Sequence, residues 1–159
     1  MNRHAIWLTL VLCLAPGAAW SGNVCIQHDT TGDVVVLNGV GKGAKPVSGY
    51  FAIFKGIDAA SKPIFHFRPM SGSALLSSRG GFSAGLTEVF MEMNETGTVN
   101  TFSDQVTFHR ISCSPDPNHK LDVLDHCTDI MQVHKVGSAF FSISVLGHVI
   151  PCSAVPRIP

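Results

Sequence analysis

The chain has 159 residues, 45% of them hydrophobic, with eleven basic and eleven acidic side chains. This length is enough for one domain with its own hydrophobic core. The charges balance and form no polybasic or acidic run, so nothing in the sequence favours nucleic acid or anionic lipid as a partner.

The first 21 residues have the pattern of a secretory signal peptide. An apolar run over residues 5–15 is ended by Pro16, and small residues follow. Such a run is too short to cross a bilayer, which takes about 20 residues. We therefore predict a leader over residues 1–21 and a single all-β domain over residues 22–159, without a transmembrane segment. The protein is expected to be secreted or periplasmic.

Short strand-like segments separated by turn residues recur throughout the predicted domain. They are rich in Val, Ile, Phe and Thr, and several alternate between apolar and polar residues, as half-buried strands do. In chain order they cover residues 24–28, 33–40, 50–54 (after a loop at 41–49), 64–67, 72–76, 82–93, 105–113, 130–136 and 140–150. Many short antiparallel strands predict a barrel or a sandwich. The expected fold is therefore a single disulfide-bonded, all-β domain of about eight or nine strands with little helix.

Two segments also show features of helices. Leu86, Val89, Phe90 and Met93 follow the i, i+3, i+4, i+7 spacing of an amphipathic helix. The surrounding segments are strand-like, so we predict a strand here and retain a short helix as the alternative. Residues 122–131 are a second candidate for a short helix.

Four cysteines remain after the predicted leader, which contains Cys13. An even number of cysteines in a small exported domain predicts two disulfides, and four cysteines allow three pairings. Cys25 lies in the first predicted strand and Cys113 ends a later one, whereas Cys127 and Cys152 flank the last two strands. We therefore predict the pairs Cys25–Cys113 and Cys127–Cys152. The nested alternative, Cys25–Cys152 with Cys113–Cys127, would close the proline-rich loop that follows Cys113.

The predicted domain contains seven histidines, which are the candidate metal ligands. His119 and His126 lie between two cysteines, but the spacing of this group matches no zinc-site pattern. His66 and His109 lie on strand faces opposite phenylalanines, and if their strands pair, the two imidazoles would meet and bind Zn²⁺ or Cu²⁺. The simpler interpretation is two solvated histidines on strand faces, so we predict no metal and no cofactor. Several histidines titrating together also suggest the hypothesis of pH sensing.

Residues 81–85 read GFSAG and match the G-x-S-x-G motif of the serine-hydrolase nucleophile elbow. That site would expose Ser83 on a sharp turn between a strand and a helix. The rest of the chain predicts almost no helix, and so short a motif is weak evidence in a chain with fifteen glycines. We therefore assign no catalytic residue and favour a protein that is not an enzyme, with a hydrolase using Ser83 as the last-ranked function.

Two other classes of function precede the hydrolase. The first is a small exported, non-catalytic binding protein whose partner is an apolar small molecule or another extracellular protein. The second is a structural or inhibitory protein–protein interaction module without a ligand cavity. Ten phenylalanines supply apolar surface for a core or for a pocket, and the sequence pattern is the same in both cases.

Two further features concern carbohydrate. Both tryptophans, Trp7 and Trp20, fall in the predicted leader, which disfavours carbohydrate binding by tryptophan stacking. Asn94 and Thr96 form an N-glycosylation sequon in a predicted turn, which matters only in a host that glycosylates exported proteins.

Overall fold

Ten strands make up most of the structure, a computed structural model that describes residues 22–78, 80–89, 91–101, 104–114 and 126–159. The strands are β1 (Gly22–His28), β2 (Val34–Val40), β3 (Gly43–Ile57), β4 (Pro63–Leu76), β5 (Phe82–Glu88), β6 (Met91–Met93), β7 (Val99–Thr101), β8 (Gln105–Ser114), β9 (His126–Lys135) and β10 (Phe141–Ile150). A short 3₁₀ helix, Cys152–Ala154, follows β10. The predicted leader, residues 1–21, lies outside the described residues.

Eight of these strands close into an antiparallel barrel. Neighbouring strands follow the order β1, β2, β3, β4, β5, β8, β9 and β10, and β10 pairs with β1 to complete the circle. β3 and β4 pair along nearly their whole length, and the β6–β7 hairpin joins β4 where Phe67 pairs with Met93. The prediction of an all-β fold is confirmed. The structure is a barrel rather than a sandwich because one continuous sheet returns to its first strand.

Apolar residues are buried on both sides of part of the barrel wall. An inner cluster fills the barrel and includes Ile26, Leu37 and Ile111. An outer cluster lies outside β1 to β4, where Phe65 and Phe67 belong to the same buried group as Val155 of the C-terminal segment. This covering explains why consecutive residues of β2 are buried, whereas β5 alternates strictly between buried and exposed positions.

Two inward-facing glycines let neighbouring strands approach closely. A Cβ atom on Gly49 would lie 1.8 Å from the carbonyl oxygen of Val36, and one on Gly72 would lie 2.0 Å from that of Gly85. No side chain fits at either position, because the obstructing atoms belong to backbone. Glycine at these two positions therefore permits the tight curvature of the barrel.

β3 and β4 are much longer than the sequence predicts. Residues 41–49, expected as a loop, contribute to β3 from Gly43 onward, and the predicted strands 64–67 and 72–76 are one strand, β4. Pro46 is tolerated within β3 because its nitrogen points toward β2, which pairs with β3 only from Ser48 onward. The missing N–H of Pro46 therefore interrupts no ladder.

The two disulfides follow the nested pattern, Cys25–Cys152 and Cys113–Cys127. The favoured pairing, Cys25–Cys113 with Cys127–Cys152, is therefore wrong. Cys113 and Cys127 face each other directly across β8 and β9 and belong to the inner cluster. Cys25 faces the outer cluster, where it holds the C-terminal segment through Cys152. Cys25 and Cys113 thus lie on opposite sides of the barrel wall and cannot meet.

Neither helix candidate contains a helix among its described residues. Residues 86–93 divide between β5 and β6, with Phe90 outside the described residues, so the predicted strand is confirmed in outline. Residues 126–131 belong to β9, while 122–125 also lie outside the described residues. In the described part of the chain, no helix has the length and apolarity needed to cross a membrane.

Candidate functional site

A chain of eight ionisable side chains runs from the barrel interior to one end of the barrel. In order of contact, its members are His28, Asp129, His109, Glu88, Arg68, Glu92, His66 and Glu95. We call this group the polar chain. Asp129 and His109 are each 1% exposed, whereas the side chain of Glu95 is 49% exposed. The polar chain therefore links the interior of the barrel to solvent.

His109 lies in the buried half of the polar chain with both ring nitrogens bonded to carboxylates. Nδ1 donates to Oδ2 of Asp129 at 2.8 Å, and Nε2 donates to Oε1 of Glu88 at 2.7 Å. Both nitrogens carry hydrogens when the two carboxylates are ionised, so His109 is an imidazolium. Burial opposes this charge, but the hydrogen bonds to Asp129 and Glu88 outweigh it and raise the pKa of His109 to about 9.

Asp129 is the point at which two histidines meet. Its Oδ2 accepts hydrogen bonds from His109 and, at 3.0 Å, from Nε2 of His28. Burial alone would raise the pKa of Asp129, but these hydrogen bonds reverse the effect and hold the pKa below its usual value. The Phe51 ring lies against both imidazoles, with centroid distances of 5.5 Å to His28 and 4.9 Å to His109. The ring thereby restricts the orientation of both histidines.

The other carboxylate oxygen of Asp129, Oδ1, has no hydrogen-bond partner among the described residues. A buried acceptor without a donor costs about 1–3 kcal/mol, and such atoms in native proteins are normally satisfied by water or by a ligand. Asp129 therefore offers a strong acceptor inside the barrel that the described side chains do not use.

Arg68 carries the polar chain outward from Glu88. Its guanidinium lies 3.5 Å from Oε2 of Glu88, and its Nε donates to Oε1 of Glu92 at 3.1 Å. The ring nitrogens of His66 then lie 3.4 Å from Glu92 and 2.9 Å from Glu95. This outer half depends on the β6–β7 hairpin, because Glu92 lies in β6 and Glu95 in the turn that follows it.

Two projecting hairpins bound the end of the barrel beside the polar chain. On one side, β10 pairs with β1 only from Gly147 onward, so its first residues extend past β1. On the other side, β3 pairs with β4 as far as Ile57 but with β2 only up to Ala52, so the β3–β4 hairpin extends past β2. β4 and β10 lie four strands apart in a barrel of eight, so the hairpins stand on opposite sides of this open end. We call the open end the mouth.

The β9–β10 side of the mouth is apolar and incompletely buried. Its inward positions, in phase with buried Asp129, are Met131, Val133, Phe141, Ile143 and Val145. Inward-facing apolar residues of a closed interior would be buried, but Phe141 is 51% exposed and Ile143 is 46% exposed. The mouth thus combines an apolar wall from β9 and β10 with a charged wall from β4 and β6.

The structure does not bring the two predicted metal-ligand candidates, His66 and His109, together. Both face inward, but Glu88, Arg68 and Glu92 lie between them in the polar chain, and every ring nitrogen of the two histidines bonds a carboxylate. Within the described residues, no group of three or more His, Cys, Asp or Glu is arranged to hold a metal ion. The prediction that both histidines are solvated is wrong for His109, which is buried inside the barrel. His66 is partly buried.

Ser83 and Asn94 also lie in defined places. Ser83 lies on the exposed face of β5, which continues without a break to Glu88, so the GFSAG motif is part of a strand and no nucleophile elbow forms. Asn94 lies in the β6–β7 turn, as the sequence predicts, and its Oδ1 accepts hydrogen bonds from the backbone of Thr96 and Thr98.

The sequence reasoning missed most of the polar chain, although two of its members carried a signal. Every second residue of β5 from Phe82 to Glu88 faces inward, so Glu88 is in phase with apolar residues. Asp129 directly precedes the predicted strand 130–136 and is in phase with its apolar residues Met131 and Val133. A charged residue in phase with a core face indicates a buried charge with a partner. Arg68 and Glu92 carried no such signal, because their contact depends on how β6 joins β4.

Comparison with protein-family models, with curated proteins and with solved structures finds no match. His109 is a poor general base, because both its nitrogens are bonded to carboxylates and it holds its proton up to a pH of about 9. A buried acceptor, a set of oriented charges and an apolar wall suit binding better than acid–base catalysis.

Proposed function

We propose that this protein is a small exported, non-catalytic binding protein that takes an apolar ligand in the mouth of the barrel. The observation that carries the proposal is the exposure of Phe141 and Ile143 at inward positions beside the polar chain. Ligand sites are concave and mostly apolar with a few oriented polar groups, and the mouths of β-barrels are a common place for them.

Two features support export as part of this proposal. The disulfides Cys25–Cys152 and Cys113–Cys127 are compatible with an oxidising compartment. Residues 1–21 have the composition and order of a secretory leader. The protein would therefore meet its ligand outside the cytoplasm.

Binding of an environment-sensitive hydrophobic dye to the folded protein tests the ligand site. Ile143→Ser and Leu146→Ser provide a matched pair, because both residues are exposed aliphatic residues of β10 but only Ile143 faces the mouth. We expect Ile143→Ser to weaken dye binding by about tenfold or more, as losing one buried aliphatic contact implies. Leu146→Ser should leave the affinity unchanged. Equal effects of the two variants, or no dye binding by the folded wild type, would exclude the mouth as the site.

A second candidate function is protein–protein interaction through the edge of β10. The carbonyl of Leu146 accepts from the backbone N–H of Asp29, so the backbone groups of Ser144 and Ser142 point to the same side. No described strand pairs with them there, because β1 has ended. A strand of a second copy of the protein fits this edge, with the two β10 strands pairing about a two-fold axis.

Sedimentation measurements test this second candidate. Ser144→Pro removes a donor from the β10 edge without removing a bond from the β9–β10 ladder, and Ser144→Ala is its control. Self-pairing predicts a dimer for the wild type and for Ser144→Ala but a monomer for Ser144→Pro. A wild-type protein that stays monomeric at high concentration would exclude self-pairing.

A further inference from the structure

We infer that the ligand of the mouth is an amphipathic amine whose primary ammonium group donates a hydrogen bond to Oδ1 of Asp129. This inference rests on the proposed function, because it names the chemical class that the same site would take. It depends on the position of Asp129, on the charges of the polar chain and on the apolar wall of the mouth.

Oδ1 of Asp129, which has no hydrogen-bond partner among the residues that the structure describes, is an acceptor close to the mouth. Asp129 pairs across β9 and β10 with Val145, and Met131 is the next inward residue of β9. Directly opposed side chains in a sheet have Cβ atoms about 5 Å apart, and inward neighbours on one strand are about 7 Å apart. Met131 therefore lies between Asp129 and the open end on β9, and Met131 and Val145 are both only partly buried. A ligand group that enters from the mouth would have to pass Met131 to reach this oxygen.

The charges of the polar chain select a cation. The four carboxylates of the polar chain are those of Asp129, Glu88, Glu92 and Glu95. The positive charges among their contacts include those of Arg68 and of the His109 imidazolium. The oxygen that has no partner among the described residues belongs to one of these carboxylates, that of Asp129. Except for Glu95 these carboxylates are largely buried, where charges interact more strongly than in water. A carboxylate or phosphate head group would be repelled at this place, whereas an ammonium group would be attracted.

An ammonium group fits the arrangement better than a metal ion does. A metal site needs several ligand atoms that converge on one point, and the described residues contain no such group. A single unpaired carboxylate oxygen needs an N–H or O–H donor, and charge makes an N–H donor about twice as strong. The alkyl part of such a ligand would lie against Met131 and Ile143 of the apolar wall.

Calorimetric titration of the folded, oxidised protein with four ligands that share an octyl chain tests the inference. The ligands are octylamine, octanol, octanoate and octyltrimethylammonium. Octyltrimethylammonium has the charge of octylamine but no N–H donor, so it separates charge from hydrogen bonding. We expect octylamine to bind at least about tenfold more tightly than each of the other three, as a charge-assisted hydrogen bond implies.

Asp129→Asn and Ile143→Ser test the two parts of the site separately. Asp129→Asn keeps the shape of the side chain but removes its charge, so we expect it to reduce the affinity for octylamine to that for octanol. Ile143→Ser should weaken octylamine and octanol by the same factor, because it changes the apolar wall alone. Far-UV circular dichroism checks folding, and if Asp129→Asn does not fold, the four wild-type titrations decide the question.

The outcomes distinguish this inference from the proposed function. If octylamine and octanol bind equally well, Oδ1 is satisfied by water, and the amine inference is overturned while the apolar site remains. If the dye binds in the mouth but none of the four octyl ligands does, the inference is again overturned alone. If neither the dye nor any octyl ligand binds, the proposed function is overturned as well.

Discussion

His109 and Asp129 are twenty residues apart in the chain, yet Nδ1 of His109 and Oδ2 of Asp129 lie 2.8 Å apart inside the barrel. They are diagonal neighbours on adjacent strands, since His109 pairs with Met131 and Asp129 pairs with Ile111. Both residues face inward and contact protein groups in place of water. Besides each other, His109 contacts Glu88 and Asp129 contacts His28. The stability of the barrel must therefore depend on the protonation of this pair.

The free energy of unfolding should fall as the pH rises from neutral to alkaline values. The pKa of His109 is raised from 6.5 to about 9 on folding. Its proton therefore stabilises the folded state fully below pH 6.5, and this contribution is lost as the pH rises through about 9. A shift of this size corresponds to a loss on the order of 3 kcal/mol. Urea titrations at a series of pH values measure the decline.

Asp129 should produce the opposite dependence at acidic pH. Its pKa is lowered from 3.8 on folding, so its contribution is present above pH 3.8 and is lost as the pH falls through the folded-state pKa.

Two histidine variants test whether His109 causes the alkaline decline. The decline should be reduced in His109→Asn but kept in His148→Asn, which changes a half-exposed histidine paired with Asp29. If His109→Asn declined as steeply as the wild type, His109 would not be the group responsible.

The same substitution at the two ends of the polar chain should have very different effects. Glu88→Gln removes a carboxylate that is 6% exposed and leaves the buried imidazolium of His109 with one anionic partner. We expect a loss of about 3 kcal/mol in the free energy of unfolding. Glu95→Gln changes a half-exposed carboxylate at the outer end and should cause no measurable change. Similar losses in both variants would show that the stability lost with a carboxylate does not depend on how deeply that carboxylate is buried.

Removing each disulfide as a pair of alanines should destabilise the protein to different extents. Cys25–Cys152 closes a sequence separation of 127 residues and Cys113–Cys127 one of 14. Restriction of the unfolded chain predicts losses of about 5 and about 3 kcal/mol, respectively. Cys25→Ala/Cys152→Ala should also make the C-terminal segment sensitive to protease, because Cys152 holds it against the outer cluster. Peptide mapping without reduction would reveal any other pairing directly.

Gly72→Ala and Gly85→Ala compare two glycines on paired strands. A Cβ atom at position 72 would lie 2.0 Å from the carbonyl oxygen of Gly85, whereas one at position 85 would have no atom within 4 Å. We expect Gly72→Ala to lower the free energy of unfolding by about 3 kcal/mol or more, because backbone must move. Gly85→Ala should be neutral or slightly stabilising. Thermal unfolding of the two variants measures the difference, and equal midpoints would contradict the close approach.

Part of the barrel could be predicted, because side chains alternate between the two faces of a strand and every second residue therefore shares a face. Phe65 and Phe67 alternate with His66 and are both buried on one face of β4, but in β8 the alternation misleads, because His109 is buried while Phe108 is 41% exposed. The lengths of β3 and β4 could not be predicted in the same way. A strand continues as long as a neighbour pairs with it, and β4 accompanies β3 through Pro46 and through Gly72. Local turn residues therefore ended the predicted strands too early.

The sequence by itself determined that this protein is all-β, that four cysteines of the predicted domain are available for two disulfides, and which residues of several strands share a face. Only the tertiary structure decided which cysteines pair and that His109, Asp129 and Glu88 form one buried group. The physical reason is that alternation describes one strand at a time, whereas disulfides and hydrogen bonds need atoms from different strands on the same side of the wall. Closure of the barrel places Cys25 outside and Cys113 inside, and it brings Asp129 and Glu88 to the two sides of His109.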